Sequence, residues 1–193
     1  MITYEIGNKL YINITNRCTN QCGFCVRNDA KGIGFDLWLE KEPTVDEIIK
    51  AVDSAGIHDE FVFCGYGEPT LRLPEIIETA KYLKKFGKPI RIDTNGQADL
   101  IWKRSVAREL AGYIDAISIS LNASNGIRYQ ELCISDFGVS AFDSIISFAK
   151  DCVRFLPKVT MSVVDLISED EIEKCARIAE EIGAGFKVRH FNG

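Results

Sequence analysis

Cys18-Thr19-Asn20-Gln21-Cys22-Gly23-Phe24-Cys25 places three thiols within eight residues, the first pair three residues apart and the second pair two. So short a loop can aim three thiolates at one point, and thiolates are the soft ligands that select iron–sulfur clusters, zinc or copper(I). No fourth cysteine follows until Cys64. A [4Fe–4S] cluster held by three cysteines leaves one iron without a protein ligand, open to a small molecule. The competing reading is a zinc site on Cys18, Cys22 and Cys25 with a distant fourth ligand. The two histidines, His58 and His190, give it little support. Disulfides fit less well, because seven cysteines is an odd number and Met1-Ile2-Thr3-Tyr4-Glu5 lacks the basic-then-apolar pattern of a secretory leader.

Outward from this loop the chain alternates strand and helix signals. Leu10–Ile14 reads as a first strand after a turn at Gly7-Asn8, and the cysteines follow its C-terminal end. Residues 28–41 are Gly-rich and irregular, long for a connector, and read either as a lid or substrate loop or as a surface excursion. Thr44-Val45-Asp46-Glu47 is a capping box opening a helix that Gly56 stops. Phe61–Cys64 is an apolar strand of the kind buried on both faces. Pro74 suits the first turn of the next helix, which ends near Gly87. Ile90–Asp93 is the third strand, Trp102–Ala111 a helix stopped at Gly112, and Ala116–Leu121 the fourth strand. Ser140 caps a helix that Pro157 ends, Val159–Val164 is the fifth strand, Ser168-Glu169-Asp170-Glu171 is a second capping box, and Phe186–His190 is the sixth strand. Such alternation predicts an α/β fold with a mostly parallel sheet. Six βα steps fall short of the eight of a closed barrel, so the expectation is a partial (β/α)6 TIM-like barrel.

The 193 residues suit one domain spanning 1–193. A hydrophobic share of 46% with 26% charged residues is an ordinary globular balance. The net charge of −5 argues against a general nucleic-acid binder. No apolar run approaches the roughly 18 residues of a membrane span, so no membrane is expected. Free cysteines point to a reducing cytoplasm.

In α/β folds ligands gather at the C-terminal ends of parallel strands, and polar residues cluster there. After the second strand comes Gly65-Tyr66-Gly67-Glu68-Pro69-Thr70, in which glycine permits close backbone approach and Glu68 is a candidate acceptor for a cationic amine. After the third comes Asp93-Thr94-Asn95-Gly96, with Asn95 a candidate ligand. On the fourth, Ser118 and Ser120 share one face by period two, and Asn122 continues that face. Inward hydroxyls in an apolar strand need partners, from a ligand, water or backbone. Val163 and Val164 end the fifth predicted βα strand, either packing on a ligand or as core. Arg189 on the sixth would face the cavity and an anion, or the surface. Cys152 and Cys175 fall on apolar helical stripes and read as core, as does Cys64 in its strand. Cys133, in the loop region after the fourth strand, is a candidate hydrogen donor or substrate contact.

The spacing C-x3-C-x2-C, with Phe24 before the last cysteine, resembles the radical S-adenosylmethionine (SAM) superfamily. Gly65–Pro69 is similar to that superfamily's Gly-Gly-Glu-Pro segment, with Tyr66 where its first glycine stands, so Gly67 and Glu68 carry the resemblance there. FCGYGEPTLR (Phe63–Arg72), SISLNA with RYQELC, and MSVVD (Met161–Asp165) resemble the TatD nuclease-associated branch, and similar segments occur in pyruvate formate-lyase activating enzyme and 7-carboxy-7-deazaguanine synthase. The resemblance implies the same partial barrel. It implies a [4Fe–4S] cluster on Cys18, Cys22 and Cys25, and SAM bound near Phe24, Gly67, Glu68, Asn95, Ser118, Ser120, Asn122, Val163 and Arg189. It further implies reductive cleavage of SAM to a 5′-deoxyadenosyl radical, fed by an external one-electron donor such as flavodoxin or ferredoxin. The radical would take hydrogen from an unidentified small-molecule, nucleoside or protein substrate. The alternative of another class is a non-catalytic iron–sulfur or zinc module, regulatory or redox.

Overall fold

The computed structural model describes residues 1–28, 34–56 and 58–191. Seven strands form one sheet in chain order: β1 (Thr3–Ile6), β2 (Lys9–Ile12), β3 (Glu60–Phe63), β4 (Ile90–Thr94), β5 (Ala116–Ser120), β6 (Lys158–Val164) and β7 (Gly185–Arg189). β1 is antiparallel to β2, and every later pairing is parallel. The six parallel strands expected from the alternation are therefore present. The antiparallel β1 is an addition, made by a hairpin through Gly7, whose φ of 59° needs a left-handed turn residue.

Helices link the parallel strands: α1 (Val45–Ala55), α2 (Leu73–Leu83), α3 (Ala98–Trp102), α4 (Ala107–Leu110), α5 (Gly126–Cys133), α6 (Ser140–Phe155) and α7 (Glu169–Ile182). Thr44 forms both arms of its capping box with Glu47. At α7 only one arm forms: Ser168 accepts from the Glu171 N–H, while the Glu171 carboxylate turns to the N–H of Ser124 at 2.8 Å. The single helix expected over Trp102–Ala111 is two short ones, broken at Lys103, which takes a left-handed φ of 53°. Ser140 is the first residue of α6 rather than its cap, and its hydroxyl donates to the Phe137 carbonyl. α5 occupies what reads as loop in the sequence, with Asn125 capping it through the Arg128 N–H.

Strand residues alternate between two environments, as period two demands. Leu10, Ile12, Phe61, Phe63, Ile90, Ile92, Ile117, Ile119, Met161 and Val163 pack into one core with the helices. The opposite face carries Tyr11, Glu60, Arg91, Asp93, Ser118, Ser120, Thr160, Lys187 and Arg189, which line a concave cavity of about 660 Å³. The sheet does not close, because β1 and β7 are its edges.

Of the 28–41 segment read as lid or excursion, residues 29–33 lie outside the described residues. Its later part is docked: Asn13 Nδ2 donates to the Leu37 carbonyl at 2.6 Å and Asn16 Nδ2 to the Leu39 carbonyl at 2.7 Å. Leu37 and Leu39 are buried and Trp38 is exposed. Among the described residues no helix is long and apolar enough to cross a membrane.

Candidate functional site

The cysteine loop follows the C-terminal end of β2 and is held on three sides. On one side the turn after β3 presses against it. A Cβ at Gly67 would lie 2.4 Å from the carbonyl oxygens of both Thr15 and Arg17, so only glycine allows this contact. There the Glu68 N–H donates to Arg17 O at 2.8 Å. On another side the end of α5 runs alongside. The Gln21 N–H reaches Cys133 O at 2.9 Å, the Asp136 N–H reaches Thr19 O at 2.8 Å, and Asn20 and Ser135 form an antiparallel bridge.

Beneath the loop lies a buried polar web. Thr19 Oγ1 donates to Gln97 Oε1 at 2.8 Å, and Gln97 Nε2 donates to Asn20 Oδ1 at 2.8 Å and to the Tyr129 hydroxyl at 3.0 Å. Asn20 Nδ2 also donates to that hydroxyl, at 2.9 Å, and Asn95 Nδ2 donates to Thr19 Oγ1 at 2.9 Å. Each polar group in such a web has a partner, and a web of this kind fixes one arrangement. None of Thr19, Asn20, Gln97, Tyr129 and Ser135 is marked by sequence motif alone, although Tyr129 lies inside the RYQELC stretch.

Glu68 is buried, and its carboxylate takes four donors. Oε1 accepts from Thr70 N at 3.0 Å, Thr70 Oγ1 at 2.6 Å and Thr94 Oγ1 at 2.7 Å, and Oε2 accepts from Asn95 N at 2.7 Å. Burial pushes the carboxyl up, and these hydrogen bonds oppose the shift. In this structure Glu68 clamps the turns after β3 and β4 together, where the sequence suggested an acceptor for an amine.

Cys18, Cys22 and Cys25 are free and half-buried. Cys18 Sγ accepts from the Asn20 N–H at 3.4 Å and Asn95 Nδ2 at 3.9 Å, and burial pushes the thiol up to about 12. Cys22 Sγ donates to Cys133 O at 3.7 Å, and hydrogen bonding to the Cys133 thiol holds the Cys22 thiol well above its ordinary range. Phe24 packs half-buried against the core. Among the described residues, no three His, Cys, Asp or Glu side chains stand where they would together hold a metal ion. The loop gathers three cysteines, but their thiols do not converge as they stand, with Cys22 turned to Cys133 and Cys18 engaged by Asn20 and Asn95. The donor chemistry still fits a soft metal group: three free thiols on one loop, anchored on both flanks.

Ser118, Ser120 and Arg189 do meet in the cavity. Arg189 donates to Ser120 Oγ at 3.1 Å and to Asn122 Oδ1 at 3.4 Å, while its buried Nε meets no hydrogen-bond partner among the described residues. Asn122 holds a left-handed φ of 58° and donates through Nδ2 to Cys133 Sγ at 3.6 Å. Across the cavity Arg91 bonds Asp93 and reaches Glu60 at 3.1 Å; burial pushes the Asp93 carboxyl up and Arg91 opposes it. Val163 lies apart. It pairs with Val188 on the helix-facing side of the sheet, fully buried, and alternation gives the inner face to Val164. Cys133 ends α5 and is fully buried, as are Cys152 and Cys175 in the core, while Cys64 sits half-buried just past β3.

The model of the Radical SAM superfamily matches residues 12–182, from β2 to the end of α7. A protein of Methanocaldococcus jannaschii, provisionally named a glycyl-radical enzyme activating enzyme, is 28% identical over 169 residues, covering 85% of this chain and 65% of its own. The GTP 3′,8-cyclase of Aquifex aeolicus is 27% identical over 180 residues, covering 90% of this chain and 53% of its own. The chain thus spans between about half and two thirds of these relatives. Among solved structures, Streptococcus suis SuiB bound to precursor peptide SuiA superposes with a TM-score of 0.69 at 19% identity, over 96% of this chain and 39% of that one. HydG, a maturase of the [FeFe]-hydrogenase, superposes with a TM-score of 0.66 at 13% identity, over 94% of this chain and 42% of that one. At such identities these two speak for the fold. The matches support the superfamily and not the finer TatD-associated branch. With the cysteine loop seated at the strand ends of an open, mostly parallel sheet and a family match across nearly the whole chain, this protein belongs to the Radical SAM superfamily.

Proposed function

We propose that this chain is a radical SAM enzyme: Cys18, Cys22 and Cys25 hold a [4Fe–4S] cluster, and SAM binds between that cluster and the cavity. The observation that carries the reading is the anchoring of the cysteine loop, past the C-terminal end of β2, to the turns after β3 and β4 and to the end of α5. When bound, the cluster would supply the electron for reductive cleavage of SAM, the chemistry that would allow a hydrogen atom to be taken from the substrate. The protein's part is position and exclusion of water.

Cys22 would leave its contact with Cys133 to join Cys18 and Cys25 as a ligand. Asn95 donates to Cys18 and orients it. Gly67 lets the turn after β3 approach the loop, and Glu68 keeps the turns after β3 and β4 in register. Ser118, Ser120, Asn122 and Arg189 offer hydroxyl, amide and guanidinium groups for the polar parts of SAM. The relatives' names point to two substrate classes, a protein and a nucleotide, and a cavity with Lys187 and Arg189 on its β7 wall suits a polar, anionic one. An external one-electron carrier such as flavodoxin or ferredoxin supplies the reductant.

The test is anaerobic reconstitution with iron and sulfide, reduction with dithionite, addition of SAM and quantification of 5′-deoxyadenosine. Cleavage by the wild type that disappears in Cys18→Ala, Cys22→Ala and Cys25→Ala is the expected result. Tight zinc with no iron–sulfur absorption would overturn it.

A further inference from the structure

The Cys22–Cys133 contact has no part in holding a cluster. Asn20 and Ser135 form an antiparallel bridge, and the Gln21 N–H donates to the carbonyl of Cys133. Cys133 closes α5, so the bridge does not run on as a ladder, but these bonds bring the chain at Cys22 next to Cys133. A disulfide needs Cα atoms about 4.4–6.8 Å apart. The Cys22 side chain turns toward Cys133, its Sγ donating to the Cys133 carbonyl oxygen at 3.7 Å. Cys133 is fully buried, held from its other side by Asn122 Nδ2, whereas Cys22 is half-buried. One thiol of the pair is open to a small oxidant and the other is sheltered beside it.

We propose that Cys22 and Cys133 form a reversible disulfide in the cluster-free protein, which withdraws one of the three cluster thiols until it is reduced. Hydrogen peroxide is the oxidant class that fits the partial opening. The Cys22 sulfur attacks one peroxide oxygen, the O–O bond breaks, and Cys22 sulfenic acid forms with release of one water. The Cys133 sulfur then attacks the Cys22 sulfur, the S–O bond breaks and a second water leaves. In total two thiols lose two electrons and two protons, and one peroxide becomes two waters. A dithiol reductant reverses the change by exchange through a mixed disulfide. The inhibitory half of this proposal rests on the cluster reading given above; the cross-link does not.

The experiment uses the full chain without cluster, exposed to stoichiometric hydrogen peroxide, alkylated and digested with trypsin under non-reducing conditions. The expected product joins peptide 18–27 to peptide 129–150, survives in Cys18→Ala and Cys25→Ala, and is lost in Cys22→Ala and Cys133→Ala. Iron and sulfide uptake without added thiol should fall at least fivefold in the oxidised wild type and recover with dithiothreitol. Oxidised Cys133→Ala should take up both at the rate of its reduced form, and Cys133→Ser controls for loss of the buried side chain. A link within the loop, among Cys18, Cys22 and Cys25, would overturn the proposal, as would unlinked peptides or equal uptake by oxidised and reduced wild type. Failure of the fully reduced wild type to take up any cluster would instead count against the cluster reading, leaving the peptide map to decide the cross-link.

Discussion

Glu68 Oε2 accepts the backbone N–H of Asn95 at 2.7 Å, joining the turn after β3 to the turn after β4 in a buried position. Replacing Glu68 with alanine strips Thr70 N, Thr70 Oγ1, Thr94 Oγ1 and Asn95 N of their acceptor. The hydroxyls can rotate to another acceptor but the two buried backbone donors cannot, and leaving those two unpaired should cost about 2–4 kcal/mol. The urea midpoint of the cluster-free protein should fall accordingly, with the slope of the transition unchanged. Were the side chain to serve only a bound ligand, the midpoint without ligand would not move.

Gly67→Ala tests the backbone contact. The new methyl would meet two carbonyl oxygens of the chain leading into Cys18, and neither can swing aside as a side chain would. A loss of about 1–3 kcal/mol is expected from such overpacking. Hydrogen exchange should accelerate at Gln21, whose amide reports the seating of the loop.

Tyr129→Phe keeps the ring in the core and deletes one oxygen. Asn20 Nδ2 and Gln97 Nε2 both donate to that oxygen, and Gln97 Nε2 retains Asn20 Oδ1 as a second acceptor. One amide donor is therefore left unpaired, at a cost of about 1–3 kcal/mol. Thermal unfolding followed by circular dichroism measures it, and an unchanged melting temperature would mean that water reaches Asn20.

Glu42 gives a pH-dependent expectation. Its carboxylate takes Thr15 Oγ1 at 2.6 Å, Arg17 Nε at 2.7 Å and Arg72 NH1 at 3.3 Å, so it ties down the segment entering the cysteine loop. Hydrogen bonding to Arg17 holds its carboxyl below the ordinary 4.5. A carboxyl depressed in the folded state adds stability above its unfolded value, and that stability disappears as pH falls through the folded value. Glu42→Gln should be slightly less stable than wild type at neutral pH, by under about 1 kcal/mol for so exposed a pair. The gap should close on acidification below 4.5. A gap that widens in acid would contradict the assignment.

Much of the architecture was legible in the sequence because strand and helix periods are local. The six parallel strands, the Thr44 capping box and the open sheet all follow from signals within a few residues. What escaped was either too short or too remote. β1 is four residues of mixed pattern ahead of a turn. α5 starts with glycine and has little apolar patterning, so it reads as loop until Asn125 is seen capping it. The polar web joins partners far apart in the chain, Thr19 with Gln97 and Asn20 with Tyr129, and no spacing rule connects them. The neighbourhood of Cys22 and Cys133 escaped for the same reason. At the strand ends, period two placed Ser118 and Ser120 on one face, and the structure sets them in the cavity. The same rule, applied at the end of β6, puts Val163 with the helices, because only the pairing with Val188 fixes which face of the strand is inward.

The division of labour between the two faces of the sheet has an evolutionary consequence. Positions that hold the fold together and positions exposed to a guest alternate along the same strands, so neighbouring codons answer to different selection. Changing Ser118, Thr160 or Lys187 alters the lining of the hollow while Leu10, Ile119, Met161 and Val163 stay packed with the helices. A scaffold built this way can drift in specificity without spending its small margin of stability.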